Sequence, residues 1–320
     1  MRSVPILAAL ASLAQLATAA YRLLDDYGSG DAFFDKFTFF TDDDPTKGYV
    51  DYVSREVASQ AGYIGVQNGA TFIGMDNTNV ASGRGRQSVR IESKANYKNA
   101  LIVLDLAHMP ASVCGSWPAF WTLGISNWPY EGEYVGEVDI IEGVNEQKKN
   151  TMAVHTSNGC TIDGQGFSGS LLASNCYIYA PNQDSNGCAI EAADPNSYGT
   201  NFNGNGGGIY ATEISNQGVN IWFFPRGTEP ADIRSENPNP SSWGMPTGRF
   251  GGSGCDWEKR LNPQFIIFDL TFCGSWAGAV WQSEGCASRA STCEDFVRDN
   301  PGEFKESYWL INSLRVYEPF

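Results

Sequence analysis

The sequence predicts an all-β fold, two packed sheets forming a sandwich of jelly-roll type in one large domain, and three observations carry that expectation. Short apolar runs recur along the chain, each bounded by Gly, Pro or Asn, with the length and alternation of strands. Helical periodicity is scarce. About 300 residues follow the first segment with no internal repeat, no linker and no charge run beyond Asp42-Asp43-Asp44, a length that β-sandwiches reach as single domains. Many short strands in one domain bury their apolar faces by packing sheet on sheet.

Residues 1–20 read as a secretory signal rather than as part of the fold. Arg2 gives a positive start, 6–16 form a short apolar run, and Ala17-Thr18-Ala19-Ala20 offers small residues for cleavage. The domain is expected to occupy 21–320. No later stretch has the ~18 apolar residues of a membrane helix, and the sequence closes on Tyr317-Glu318-Pro319-Phe320, without a hydrophobic tail for a lipid anchor. A secreted, extracellular protein is the expectation. Asp42-Asp43-Asp44 before Pro45 reads as a solvated turn. Residues 88–93 alternate strictly, with Arg86 and Arg90 on one face, and 100–106, 151–155, 220–224 and 265–270 repeat the strand pattern. Residues 182–208, rich in Asn and Gly around Cys188, predict a long surface loop that either walls a functional site or is a disulfide-pinned ornament. One short peripheral helix is expected after Ser291, whose spacing to Glu294 is that of a capping box, with Pro301 as its stop. No Asn-x-Ser/Thr acceptor occurs, so N-glycosylation is not expected.

The formal charge is −15, or −16 once Arg2 leaves with the signal, which argues against nucleic acid and anionic membranes as partners. A neutral polymer fits better. The chain carries 18 Phe, 14 Tyr and 9 Trp, flat rings that serve cores and sugar faces alike. Cys114, Cys160, Cys176, Cys188, Cys255, Cys273, Cys286 and Cys293 form an even set in an exported chain, which predicts disulfides. Cys286 and Cys293 are near enough in sequence to suggest a local loop. With His108 and His155 the only histidines and no Cys-x-x-Cys pattern, a zinc centre is not expected.

Chemistry concentrates in Gly136-Glu137-Val138-Asp139-Ile140-Ile141-Glu142-Gly143, where three carboxylates interrupt an apolar strand. Alternation puts Glu137 and Asp139 on one face and Val138 and Ile140 in the core, but the odd spacing sends Glu142 to the wrong side. A bulge near Ile140 and Ile141 resets the register and brings all three acids to one face. Repulsion and burial then separate their pKa values, so that one carboxyl keeps a proton while another is ionised. That is the requirement of a retaining glycosidase, whose two carboxyls stand about 5 to 5.5 Å apart. A solvated acidic face or a calcium site is the alternative.

Together with Trp117-Pro118-Ala119-Phe120-Trp121-Thr122-Leu123-Gly124 and Trp128 upstream, Leu270-Thr271-Phe272-Cys273-Gly274-Ser275-Trp276-Ala277-Gly278, and the closing Asn312-Ser313-Leu314-Arg315-Val316-Tyr317, this stretch resembles glycoside hydrolase family 16. The likeness is to the laminarinase-like branch with a bulged catalytic strand, and it spans the whole of 21–320. It implies a concanavalin-like sandwich with an open concave cleft suited to attack in mid-chain. It also implies a nucleophile at Glu137, a general acid and base at Glu142, and an assisting carboxylate at Asp139. The expected activity is hydrolysis of β-glucans with 1,3 linkages, pure or mixed with 1,4, with retention, by a monomer needing no cofactor or catalytic metal. Trp121 and Trp128 are implied to stack on glucosyl units, although alternation leaves Trp121 equally suited to the core. His155 is implied to line the site, against the alternative of a structural strand histidine. Arg90 has the long donors that suit sugar hydroxyls, with surface ion pairing as its alternative, and Trp276, with Trp281 as competitor, is placed to close the far side. Residues 130–135 look longer than the family's usual link before the acids, which bears on the cleft beside Trp128. A transglycosylase and a non-catalytic carbohydrate-binding protein share the same sandwich and remain alternatives.

Overall fold

A computed structural model describes residues 21–125, 136–183, 186–261 and 263–320. The expected signal, Trp128 and the link at 130–135 lie outside the described residues. Two eight-stranded sheets form the framework. In the first, strands Gly248–Gly251, Gly218–Pro225, Gly208–Ser215, Leu101–His108, Trp309–Pro319, Ala70–Ile73 and Ile64–Gln67 follow one another, and Tyr21–Asp26 also pairs with Trp309–Pro319. In the second the order is Ser170–Ala173, Cys188–Glu191, Thr151–His155, Glu137–Glu142, Ser116–Gly124, Gln264–Phe272, Arg90–Tyr97 and Phe37–Phe39. All pairings within the two sheets are antiparallel.

The sandwich follows from the alternation of side chains. Ile266 and Phe268 of the Gln264–Phe272 strand enter one core with Phe120, Val138 and Val154 from the same sheet and Ile102, Leu104, Leu314 and Val316 from the facing one. Ile267, Asp269 and Thr271 therefore point the other way. The 100–106 run lacks alternation because both of its faces are covered: Leu101 and Val103 pack in a separate cluster with Ile233, Trp222 and Trp243. A third cluster joins Leu270 and Phe272 to Trp281, Phe296 and Phe304 at one end of the molecule.

Several expectations are corrected. The strand over 88–93 is interrupted: Arg86–Ser88 pairs in parallel with Val50–Tyr52, and Arg90–Tyr97 begins anew in the second sheet. Arg86 consequently leaves the face of Arg90 and is fully buried, donating to the carbonyls of Val297, Arg298 and Asp76. A guanidinium has enough donors to satisfy several buried carbonyls at a helix C-terminus, which explains a large cation in the interior. Asp44 is not merely solvated, since its Oδ2 accepts from Thr46 Oγ1 at 2.7 Å and Thr271 Oγ1 at 2.6 Å. The segment 182–208 contains the strand Cys188–Glu191 and the helix Gly199–Gly204 rather than one open loop. The expected late helix spans Cys293–Asp299, but its cap is Thr292, whose side chain accepts from Asp295 N, in place of Ser291. Four disulfides form, Cys114–Cys286, Cys160–Cys255, Cys176–Cys188 and Cys273–Cys293. Cys286 and Cys293 thus have different partners. Among the described residues no helix is long and apolar enough to cross a membrane.

Phe268 is fully buried, with its ring 4.5 Å from Phe120 and 5.7 Å from Trp309. Phe268→Ala is expected to lower the unfolding free energy by about 3–5 kcal/mol, read as a lower midpoint in guanidinium titration with the denaturant slope unchanged.

Candidate active site

The strand Glu137–Glu142 lies between Thr151–His155 and Ser116–Gly124. Against the latter, Glu137 faces Leu123, Val138 faces Thr122 and Asp139 faces Trp121, after which Ile141 faces Phe120 and Glu142 faces Ala119. Ile140 is the extra residue of a β-bulge. Val138, Ile140 and Ile141 are all fully buried in the core. The bulge carries Glu142 back to the face that already holds Glu137 and Asp139.

On the other side Glu137 pairs with His155 and Asp139 with Ala153. That register brings the imidazole over both acids: His155 Nε2 is 2.9 Å from Asp139 Oδ2 and 4.0 Å from Glu137 Oε1. Burial alone would push the imidazole towards neutrality, but Asp139 and the two glutamates outweigh it and hold His155 at about 10. Gly187 makes room for this ring. At φ +129° it occupies backbone space that favours glycine, and a Cβ there would lie 2.6 Å from His155 Nδ1.

Glu142 has the opposite character. Burial first, and the Asp139 carboxylate second, keep its carboxyl well above the ordinary range, an effect partly offset by Trp117. Trp117 Nε1 donates to Glu142 Oε1 at 2.8 Å, and its ring stands edge-on to Trp276 at 5.7 Å. Trp276 therefore reaches the acid cluster through Trp117, whereas Trp281 is buried and donates to Ala290 O.

Trp121, cross-strand from Asp139, shares the face of the acids rather than the core. Its Nε1 donates to Asp269 Oδ1 at 3.0 Å, and Tyr52 OH donates to Asp269 Oδ2 at 3.0 Å. Burial outweighs the neighbouring Arg90 and raises Asp269 to about 7. The Arg90 guanidinium lies 4.3 Å from the Phe40 ring and 5.1 Å from that of Trp121, and it pairs with Glu92 at 2.7 Å. Arg90 is thus both cation over the aromatic floor and ion-pair partner. The segment around Ile178, tied by Cys176–Cys188, packs on Leu123, the cross-strand neighbour of Glu137.

Glu137, Asp139 and His155 bring ligand atoms within 4.8 Å of one another, the geometry a cation site would need. Within that space His155 Nε2 already pairs with Asp139 Oδ2. The structure assembles Glu137, Asp139, Glu142, His155 and Trp121 on one face, with Arg90 and Trp276 at its flanks and Trp128 outside the described residues. Two contributors had no assigned role in the sequence. Trp117 lies two residues before Ala119 on the strand that faces Glu142, so its side was legible from alternation once the pairing is known. Asp269 was signalled by a lone acid in the apolar run Phe265-Ile266-Ile267-Phe268-Asp269-Leu270.

A family model described as an XgeA-like, catalytic GH16 domain matches residues 37–317. The chain belongs to glycoside hydrolase family 16. An endo-1,3(4)-beta-glucanase of Arthroderma benhamiae is 47% identical over 313 residues, covering 97% of this chain and 67% of that protein. A probable endo-1,3(4)-beta-glucanase of Aspergillus fumigatus is 42% identical over 93% of this chain and 45% of its own length, so the chain spans about half of such relatives. Among solved structures, an elongating family 16 beta-1,3-glucosyltransferase is 44% identical with a TM-score of 0.86, covering 93% of this chain and 100% of that one. Laminarinase 16A of Phanerochaete chrysosporium, solved with 6-O-glucosyl-laminaritriose in donor and acceptor sites, is 39% identical with a TM-score of 0.86 over 94% and 100%. The family 16 assignment agrees with the sandwich and with the bulged acid strand.

The hydrogen bond from Trp121 to Asp269 gives this family 16 member a built-in reporter. The indole N–H resonance of Trp121 is expected to titrate with a midpoint near the Asp269 value of about 7. Because Arg90 lowers that value, Arg90→Gln is expected to move the midpoint upward, and an unmoved midpoint would sever the proposed link between the two side chains.

Proposed function

We propose that the chain is a secreted endo-β-glucanase that hydrolyses β-1,3 and mixed β-1,3-1,4 glucans with retention of anomeric configuration. The observation that carries this reading is the bulge, which sets a proton-bearing Glu142 on the same face as the Glu137, Asp139 and His155 cluster. In the first step a Glu137 carboxylate oxygen bonds to the anomeric carbon as the glycosidic C–O bond breaks. Glu142 gives its proton to the departing oxygen, a form of assistance worth about 10²–10⁴-fold. In the second step Glu142, now ionised, takes a proton from water, whose oxygen displaces Glu137 at the same carbon and restores the starting state. Asp139, paired with His155, holds a compensating charge beside the nucleophile. Trp121 offers a ring for a glucosyl face, with Arg90 and Trp276 as flanking contacts and Trp128 as a further stacking partner. The likeness to a fungal endo-1,3(4)-beta-glucanase and the oxidised cysteines support the substrate class and an extracellular location.

A second reading is transfer of the glycosyl group from Glu137 to another sugar, favoured by the likeness to an elongating glucosyltransferase. The same residues serve both outcomes, and the acceptor decides. Chromatography of a short laminari-oligosaccharide digest distinguishes them: shorter products mark hydrolysis, products longer than the starting material mark transfer.

Purified protein incubated with laminarin, barley mixed-linkage glucan and a β-1,4-glucan is expected to release short oligomers from the first two and little from the third. The first-formed anomer is expected to be β by proton NMR, and an α anomer would reject the double displacement. Glu137→Gln is expected to abolish turnover, and full activity in that variant would falsify the nucleophile assignment. The positive charge on His155 lowers the Glu142 pKa, so removing it raises that pKa. His155→Gln is accordingly expected to shift the alkaline limb of kcat/KM to higher pH, and a limb that moves to lower pH contradicts Glu142 as the acid.

A further inference from the structure

Beside the bulge the ladder of the catalytic strand is incomplete. Pairing with Thr151–His155 runs from Glu137 opposite His155 to Asp139 opposite Ala153 and goes no further. Past that point the Ile140 carbonyl and the Glu142 N–H would face a buried gap, where an unpaired backbone group loses its solvation without compensation. The side chain of Asn150 fills it. Asn150 Nδ2 donates to Ile140 O at 2.7 Å, and Asn150 Oδ1 accepts from Glu142 N at 2.8 Å. A carboxamide presents one donor and one acceptor in the arrangement of a peptide group, so these two bonds continue the ladder across the bulge with a side chain in place of main chain.

Asn150 is itself held without freedom. It is fully buried; its N–H donates to Ser197 Oγ at 3.0 Å and its carbonyl accepts from Ala192 N at 2.9 Å. Ser197 Oγ donates in turn to Asp194 O at 2.7 Å. The adjacent Tyr198 donates from its hydroxyl to Gly143 O at 2.9 Å, and a Cβ on Gly143 would lie 2.7 Å from that ring. The same short segment therefore grips the residue after Glu142 and the amide that binds Glu142.

We infer that Asn150 is a positioning residue for Glu142, its carboxamide locking the bulged backbone so that the acid/base carboxyl meets the leaving oxygen from one fixed direction. The inference rests on the assignment of Glu142 as acid and base. Asn150 touches the backbone of Glu142 and not the reacting atoms. The pattern needs one donor and one acceptor: Ala leaves both backbone groups unpaired, and an ionised Asp sets oxygen against the Ile140 oxygen and adds a fourth carboxylate to the cluster. A protonated Asp, with one O–H and one carbonyl, restores it.

The test compares Asn150→Ala and Asn150→Asp with the unaltered full chain on two substrates, laminarin and a 2,4-dinitrophenyl β-laminaribioside. The aryl leaving group departs without a proton, so its release is insensitive to the direction of Glu142. For Asn150→Ala the expected result is a fall of about 10- to 10²-fold in kcat on laminarin, with KM little changed and dinitrophenol release in kcat/KM preserved. Asn150→Asp is expected to lose laminarin turnover most at neutral pH and to regain it on acidification, relative to the unaltered chain at each pH. Equal losses on both substrates, or unaltered laminarin turnover, overturn the inference. Where Asn150→Ala does not fold, the isosteric Asn150→Asp decides by the same two comparisons. Glu142→Gln serves as the control: retained laminarin turnover there refutes the acid/base assignment itself, an outcome separate from any result at position 150.

Discussion

An extra residue in a strand has two consequences that pull against each other. It changes the parity of the side chains, which is how Glu142 comes to share a face with Glu137 and Asp139. It also removes main-chain partners from the middle of a sheet, where water does not replace them. The sandwich answers the second consequence locally, through Asn150 on one side and a continued ladder to Ser116–Gly124 on the other. Three buried isoleucine and valine side chains beneath, Val138, Ile140 and Ile141, then keep the bulge from slipping, because any shift of register would expose one of them and bury an acid.

Electrostatics follows from that geometry. Three acids on a largely enclosed face repel one another, and each relief of the repulsion is specific. His155 faces Asp139 and Glu137 as a cation and remains so up to about 10. Glu142, farther along the strand, is pushed up by burial first and Asp139 second, and the Trp117 donor offsets part of that shift. The upward shift at Glu142 thus depends on burial and on Asp139 of its own strand, while a cross-strand histidine and a same-face tryptophan, neither adjacent to it in sequence, oppose it.

Much of this was legible in the chain itself. The sandwich follows from recurrent strand-length runs, and the bulge follows from the parity conflict between Asp139 and Glu142, because only an inserted residue lets all three acids avoid the core. Features that depend on long-range pairing were not legible. The alternation of 88–93 concealed a break, since Arg86 is drawn into a helix terminus more than two hundred residues away in the chain. The pairing of Cys286 with Cys114 and of Cys293 with Cys273 is set by how the end cluster packs, for which sequence proximity is no guide. The Asn and Gly content of 182–208 suggested an open loop, while Ser197 within it accepts from Asn150 N and Tyr198 donates to Gly143 O at the end of the bulged strand.

The two halves of the cleft handle charge differently, and the contrast bears on a neutral polymer. Around Glu137 the acids face one another and the His155 imidazole. Beyond Trp121 another acid, Asp269, lies at the edge of the ring, bonded by the indole N–H and the Tyr52 hydroxyl and flanked by Arg90. The charge there is used to fix an aromatic plane rather than to face the substrate. A rigid plane loses little side-chain entropy when a sugar stacks on it. Burying an acid at the edge of the ring is therefore compatible with an uncharged partner for the proposed site, because its carboxylate oxygens are already bonded by the indole N–H and the Tyr52 hydroxyl.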